Sequence, residues 1–180
     1  MDDVYIRKVC GGDKEAFRYF VTKYKDMAFS IAVSVVKDQF IAEEIVQDAF
    51  LKAYKGLGSF HKKSSFSTWF YRIVINEAFM KLKKLKREIV SFGEESNADI
   101  EDEGAYSSMK EEEQTYLINR TLESLPPKES LALRLFYLQE ENIKEVSELT
   151  GWSESNVKVI LFRARKHMFE VLREIINAEF

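Results

Sequence analysis

The chain has 180 residues, a formal net charge of −3, 46% hydrophobic and 32% charged residues, 7 Gly, 2 Pro and a single cysteine. That length fits one domain or two small ones, and so little Gly and Pro argues against a turn-rich β architecture. No run approaches the roughly 18–20 apolar residues of a membrane span, the acidic start at Met1, Asp2 and Asp3 is unlike a signal peptide, and the lone Cys10 excludes an internal disulfide and fits a reducing cytoplasm.

Helical periodicity sets in after Gly11 and Gly12. Asp13 is placed to cap a helix, along which Ala16, Phe17, Phe20, Val21, Tyr24, Met27, Ala28, Ile31, Ala32 and Val35 recur at three- and four-residue spacing. A second helix is predicted over about residues 41–54. It turns Ile45, Val46, Ala49, Phe50 and Ala53 inward and leaves Glu44, Gln47 and Asp48 together on an exposed side. Leu57, Gly58 and Ser59 break it. By composition alone, Glu44 and Asp48 are ordinary surface acids.

Residues 60–87 are the most informative stretch. Aromatic side chains alternate with hydroxyls, an amide and cations, and residues 52–88 carry ten Lys/Arg against two Glu, a local net charge of +8. Bases stack on aromatic faces and phosphates are neutralised by Lys and Arg, so the stretch suits single-stranded or opened nucleic acid. A third helix over about residues 67–86 puts Phe70, Ile73, Val74, Ala78 and Leu82 on its apolar face. Phe70 is therefore assigned to the core, and Phe66 and Trp69 to base contact. The bland alternative makes the aromatics core and the lysine run 81–87 a solvated face.

Composition changes at Ile89. Residues 89–114 hold one Lys and nine Asp/Glu, a net −8, together with Gly93, Asn97, Gly104 and several Ser. They read as an acidic linker. Periodicity resumes near Tyr116 with Leu117, Ile118, Thr121, Leu122 and Leu125. Pro126 and Pro127 stop that helix and pre-set the next, whose apolar positions are Leu131, Leu133, Leu135 and Phe136.

Residues 142–166 have the layout of a helix-turn-helix. Gly151 supplies the positive φ of a tight turn and Ser153 caps the following helix. Val157, Leu161, Ala164 and Met168 face inward; Lys158, Val159, Phe162, Arg163 and Lys166 face outward. The start of such a helix enters the major groove, which places Ser155, Asn156 and Lys158 at base edges. Arg163, Arg165 and Lys166 suit phosphates, within a stretch, residues 158–173, of net charge +4. No nucleophile–base pair or carboxylate cluster suggests an enzyme, His61 and His167 are too isolated for a metal site, and Gly56 and Gly58 lack the Lys-Ser/Thr of a phosphate loop. No cofactor is expected.

Four segments, in this order, resemble bacterial RNA polymerase sigma factors of the extracytoplasmic-function type: residues 42–54 (AEEIVQDAFLKAY), 60–76, 122–128 (LESLPPK) and 151–166. The resemblance covers nearly the whole chain. It implies an all-α fold of two small helical domains, residues 1–88 and 115–180, joined by the acidic linker 89–114. It implies that Glu44, Gln47 and Asp48 meet the core polymerase. Ser64, Phe66, Ser67, Thr68 and Trp69 match the segment that reads melted −10 DNA, which ends at Asn76, with Phe66 stacked on the opened duplex edge. Lys62, Lys63, Arg72, Lys81, Lys83 and Lys84 would hold the backbone there. Ser153, Ser155, Asn156, Lys158, Val159, Phe162, Arg163, Arg165 and Lys166 would read −35 duplex.

Two departures stand out. Val159 and Ile160 replace the small or polar residue and the Arg common in the family, and His61, Lys62 and Lys63 replace acidic or Gly residues. The implied partners are core RNA polymerase, promoter DNA and an anti-sigma factor, with no membrane insertion. The two DNA elements lie roughly 50–60 Å apart at about 35 Å per turn, and a linker of 26 residues spans up to about 85 Å at about 3.3 Å per residue. The rival readings are a helix-turn-helix regulator acting without polymerase and a helical adaptor.

Overall fold

A computed structural model describes the backbone of residues 1–92 and 110–179, and the side chains of residues 1–88 and 115–175. All regular structure among the described residues is helical. Helix α1 (Asp2–Cys10) leads into Gly11 and Gly12. Asp13 accepts a hydrogen bond from the Ala16 amide at 3.2 Å and opens a short turn that continues into α2 (Arg18–Val36). Lys37 ends α2 in the left-handed conformation, φ 60°. Asp38 accepts from the Ile41 amide at 2.8 Å and starts α3 (Gln39–Gly56).

Helix α4 (Phe66–Phe92) starts at Ser65, whose Oγ accepts from the Thr68 amide at 3.1 Å. Helix α4 runs on to Phe92 and α5 (Lys110–Ser124) begins before Tyr116, so helix ends occupy both margins of the span read as a linker. Residues 93–109 of that linker lie outside the described residues. Pro127 stands in the first turn of α6 (Pro127–Leu133), which widens into a π-turn at Arg134–Leu138. Helix α7 (Ile143–Thr150) carries a reciprocal cap between Asn142 and Glu145, Gly151 takes φ 75°, and the Ser153 hydroxyl accepts from the Asn156 amide at 3.2 Å to cap α8 (Glu154–Glu179).

Helices α1–α4 form an N-terminal lobe, in which α2, α3 and α4 pack around one another. Its centre is aromatic. Phe20 and Phe70 are fully buried; Phe70 stacks on Phe50 at 4.5 Å, and Phe20 lies 4.2 Å from Phe66. Each such ring removed from water contributes roughly 1.5–3 kcal/mol. Helices α5–α8 form the second lobe around Leu131, Leu135, Val146, Val157 and Leu161. The two lobes touch along α2–α6 and α4–α7, so their cores form one continuous cluster.

Candidate nucleic-acid interface

The basic aromatic stretch folds as a loop, residues 60–65, followed by the first turns of α4. His61, Lys62 and Lys63 are exposed, and Lys62 takes the left-handed φ of 54°. A non-glycine residue there is strained. Asp3 of α1 pairs with its Nζ at 2.6 Å. Ser64 is half-buried, while Ser67 and Thr68 turn their hydroxyls to Ser65 Oγ, both at 2.8 Å.

Trp69 is half-buried, its ring set against Phe60 at 5.0 Å and Phe66 at 5.6 Å and lying over Gly56. Phe66 differs from the sequence expectation. It is 3% exposed and packed among Phe20, Tyr24, Phe70 and Trp69, so no base can stack on it. The spacing explains this. Phe66, Phe70 and Val74 follow one another at four-residue intervals, so they share the inward face. Tyr24 beneath Phe66 donates to Asp2, which also accepts from Tyr19 and Lys23 at 2.7 Å. Burial alone would raise the Asp2 carboxyl, but the bonds from Lys23, Tyr24 and Tyr19 outweigh it and hold it below its ordinary value. The first turn of α1 thus ties the aromatic layer under the loop.

Along α4, Asn76, Lys83 and Lys84 are exposed. Lys84 faces Glu88 at 3.8 Å, a surface pair of little consequence. Two other cations are already engaged. Arg72 donates from Nε to the Glu148 carbonyl of α7 at 2.5 Å, and Lys81 pairs with Glu44 of α3 at 2.7 Å. The second pair joins residues assigned to different surfaces, so Glu44 is partly occupied within its own lobe.

Gln47 and Asp48 are exposed beside Glu44, as the periodicity predicts. The sequence reading missed their apolar companions. Phe40 is 86% and Leu51 56% exposed, and both lie on this side of α3. Two large apolar side chains flanking acids on one helical face are unusual on a surface that meets only water. The available signal was phase: both residues fall off the inward set of Ala42, Ile45 and Ala49.

In the second lobe, Ser155, Asn156, Lys158, Val159, Phe162, Arg163 and Lys166 project from α8, with Phe162 71% exposed. Ile160 faces inward and is buried, so of the two unusual residues only Val159 reaches the outer face. Ser153 spends its hydroxyl on the cap. Arg165 sits at one edge, where its Nε donates to Tyr137 at 2.7 Å and its guanidinium lies over the Phe136 and Tyr137 rings. Arg163 sits at the other edge, beside α4, on a cavity shared with Lys83. A polar, cationic helical face with its first turn uncovered matches the shape and charge of a major groove.

Two family models match the chain, "Sigma-70 region 2" over residues 20–88 and "Sigma-70, region 4" over residues 116–168. The chain is 30% identical to the ECF RNA polymerase sigma-E factor of Escherichia coli K12 and 29% identical to the RNA polymerase sigma-H factor of Pseudomonas aeruginosa. Each match covers 98% of this chain and 96% of the relative. Among solved structures, the sigma factor RpoE in complex with the anti-sigma factor NepR from Bartonella quintana superposes with a TM-score of 0.69 at 22% identity, over 87% of this chain and 96% of that one. CnrH in complex with the cytosolic domain of CnrY gives 0.65 at 19% identity, over 95% and 96%.

Proposed function

Because the chain belongs to the sigma-70 family, as a sigma factor of the extracytoplasmic-function type, and is a promoter-specificity subunit of RNA polymerase, we propose that its two lobes divide the promoter between them. The α8 face reads the −35 element as duplex. Ser155, Asn156 and Lys158 address base edges, Val159 and Phe162 offer apolar contact to thymine methyls, and Arg163, Arg165 and Lys166 hold phosphates. The loop of residues 60–65 and the start of α4 receive the −10 element as opened strand. Lys62, Lys63, Arg72, Asn76, Lys83 and Lys84 follow its backbone while Ser64, Ser67, Thr68 and Trp69 line the base-reading side. The outer side of α3, with Phe40, Glu44, Gln47, Asp48 and Leu51, docks on the core enzyme. The acidic linker, residues 89–114, serves as the connector.

The protein on this reading performs no covalent chemistry. It recruits, reads and assists opening in the cytoplasm, where polymerase and chromosome meet. A dedicated anti-sigma factor is a further expected partner, since one structural neighbour, RpoE, was solved with the anti-sigma factor NepR.

One observation carries the division of labour. Trp69 is a half-buried ring braced on one side by Phe60 and Phe66 and set beside a lysine loop. Flipping a base costs a few kcal/mol, and one aromatic stack returns roughly 1–3 kcal/mol, so a single braced ring is enough to shift the opening equilibrium. Trp69→Ala should lower open-complex formation by about 10- to 100-fold, as that energy implies, with recruitment nearly unchanged. Permanganate reactivity of −10 thymines, measured beside retention of polymerase on the same DNA, separates the two steps. Undiminished reactivity would remove Trp69 from the melting surface.

A further inference from the structure

One cation on the outer side of α8 is held in place before any DNA arrives. Arg165 stands seven residues after Lys158, two turns along the same stripe of the helix, and both are exposed. Its Nε donates to the Tyr137 hydroxyl oxygen at 2.7 Å, and its guanidinium lies 5.6 Å from the centroid of the Tyr137 ring and 5.8 Å from that of Phe136. The two rings meet edge-on at 5.0 Å, so each braces the other. Lys166 on the same helix is, by comparison, paired with Glu170 one turn on at 3.9 Å, a surface contact of little consequence.

Tyr137 reaches Arg165 because α6 does not end as an ordinary helix. It widens into the π-turn at Arg134–Leu138, where the Gln139 amide donates to the Arg134 carbonyl at 3.1 Å. In unbroken helical phase Leu138 would follow Leu131 and Leu135 to the buried side. It is instead 43% exposed and Tyr137 52% exposed, and Glu140 closes the turn in the left-handed conformation, φ 56°. Turns of this kind are rare and concentrate at functional sites. The chemistry of the pair suits an anion. With Nε occupied by Tyr137, the guanidinium still has its two terminal nitrogens, whose fork of N–H groups meets a phosphate bidentately. A tyrosine hydroxyl that accepts from Nε keeps its own proton to donate. An arginine already fixed against two rings also loses less side-chain freedom on binding than one that is loose in water.

We infer that Tyr137 is a positioning residue for −35 recognition: it fixes Arg165 across a single DNA phosphate and donates its own hydroxyl to the same group. The inference rests on the reading of α8 given above and extends the DNA surface to the end of α6, outside the two helices of the helix-turn-helix. The ligand is one backbone phosphate flanking the −35 bases. Phosphate contacts position a protein on the duplex and carry no sequence information of their own. Loss of Tyr137 therefore costs affinity and one phosphate contact, and leaves the order of base preferences in place.

The test uses the protein assembled with core polymerase and a promoter that this holoenzyme selects. In a set of duplex probes, one phosphate at a time around −35 is replaced by an uncharged methylphosphonate, and binding is measured by competition. With the parent protein, one replacement should weaken binding by about 5- to 10-fold, as expected for a charge-assisted contact. In Arg165→Ala the same replacement should matter by less than about twofold, because its partner is gone. Tyr137→Ala should bind the unmodified promoter about 5-fold more weakly and lose most of the sensitivity at that phosphate, although Arg165 is still present. Tyr137→Phe, which keeps the ring and removes the acceptor, should lose it in part. A purely structural role for Tyr137 would weaken binding to every probe alike and leave the sensitivity whole, and that result in both Tyr137 variants would overturn the inference. So would a parent protein with no phosphate whose neutralisation Arg165→Ala makes silent. If the parent holoenzyme binds with no preference for the −35 bases, the reading of α8 itself falls, and the inference with it.

Discussion

Phe66→Ala should destabilise the N-terminal lobe by about 3–5 kcal/mol, the cost of deleting a buried aromatic side chain. The ring is 3% exposed and lies against Phe20, Tyr24, Phe70 and Trp69 at centroid distances between 4.2 and 5.9 Å, so truncation leaves a cavity with aromatic walls. Typical domains hold only about 5–15 kcal/mol in total, and a loss of this size empties much of that margin. Urea unfolding would show it as a large drop in midpoint. Trp69→Ala, at a half-buried site, should move the midpoint far less while impairing DNA opening more. A Phe66→Ala protein with an unchanged midpoint and a selective melting defect would put Phe66 back among the base contacts.

The second large effect is expected on the exposed face of α3. Phe40→Ala combined with Leu51→Ala should weaken core polymerase binding by about 10- to 100-fold, roughly 1.4–2.8 kcal/mol. Exposed apolar anchors among polar groups are where interfaces concentrate their energy, and both side chains are free of the core, at 86% and 56% exposure. Asp48→Lys should add to the loss. Glu44→Lys is a less clean probe, because it also frees Lys81 from its pair at 2.7 Å. Competition against labelled protein for core enzyme measures each variant, and unfolding free energies within about 0.5 kcal/mol of the parent, as expected for surface changes, show that the fold is intact. Unaltered affinity would take this face of α3 out of the polymerase interface.

Much of the architecture was legible because it is local. Asp13, the two prolines, Gly151 and Ser153 act where the chain chemistry places them, and the inward sets of α3, α4 and α8 follow helical phase. Phe66 was misassigned because its neighbours in sequence are polar and cationic, while its neighbours in space are Phe20 and Tyr24 of another helix. The phase linking Phe66 to Phe70 and Val74 was the better guide. Ser65 does not stand out in sequence as the cap of α4, since a run of Ser, Ser, Phe and Ser does not say which hydroxyl meets the first free amide. Helix α1 has no legible pattern either. Its inward side amounts to Tyr5, Ile6 and Val9, too few to show a period, and it is held by Asp2 bonding to Tyr19, Lys23 and Tyr24.

The seam between the lobes lies beyond any local signal. Lys37 and Leu122 are 85 residues apart, Arg72 and Glu148 76, and Ser30 and Arg134 104. Each of those cations reads in sequence as an ordinary solvated or DNA-facing charge. Only the tertiary arrangement shows that they reach helix-end carbonyls and a hydroxyl of the other lobe.

Run-off transcription with purified core RNA polymerase tests the central claim most directly. The template pool should carry randomised −35 and −10 segments, so that no promoter sequence is assumed. With this protein added, a defined pair of elements at fixed spacing should emerge among the transcribed templates. Lys158→Ala or Asn156→Ala should relax the choice at −35 alone, by about 1–3 kcal/mol for each base-edge hydrogen bond removed. If the protein binds duplex DNA by itself yet no template is transcribed above the core-only background, it is a regulator that acts without polymerase and not a promoter-specificity subunit.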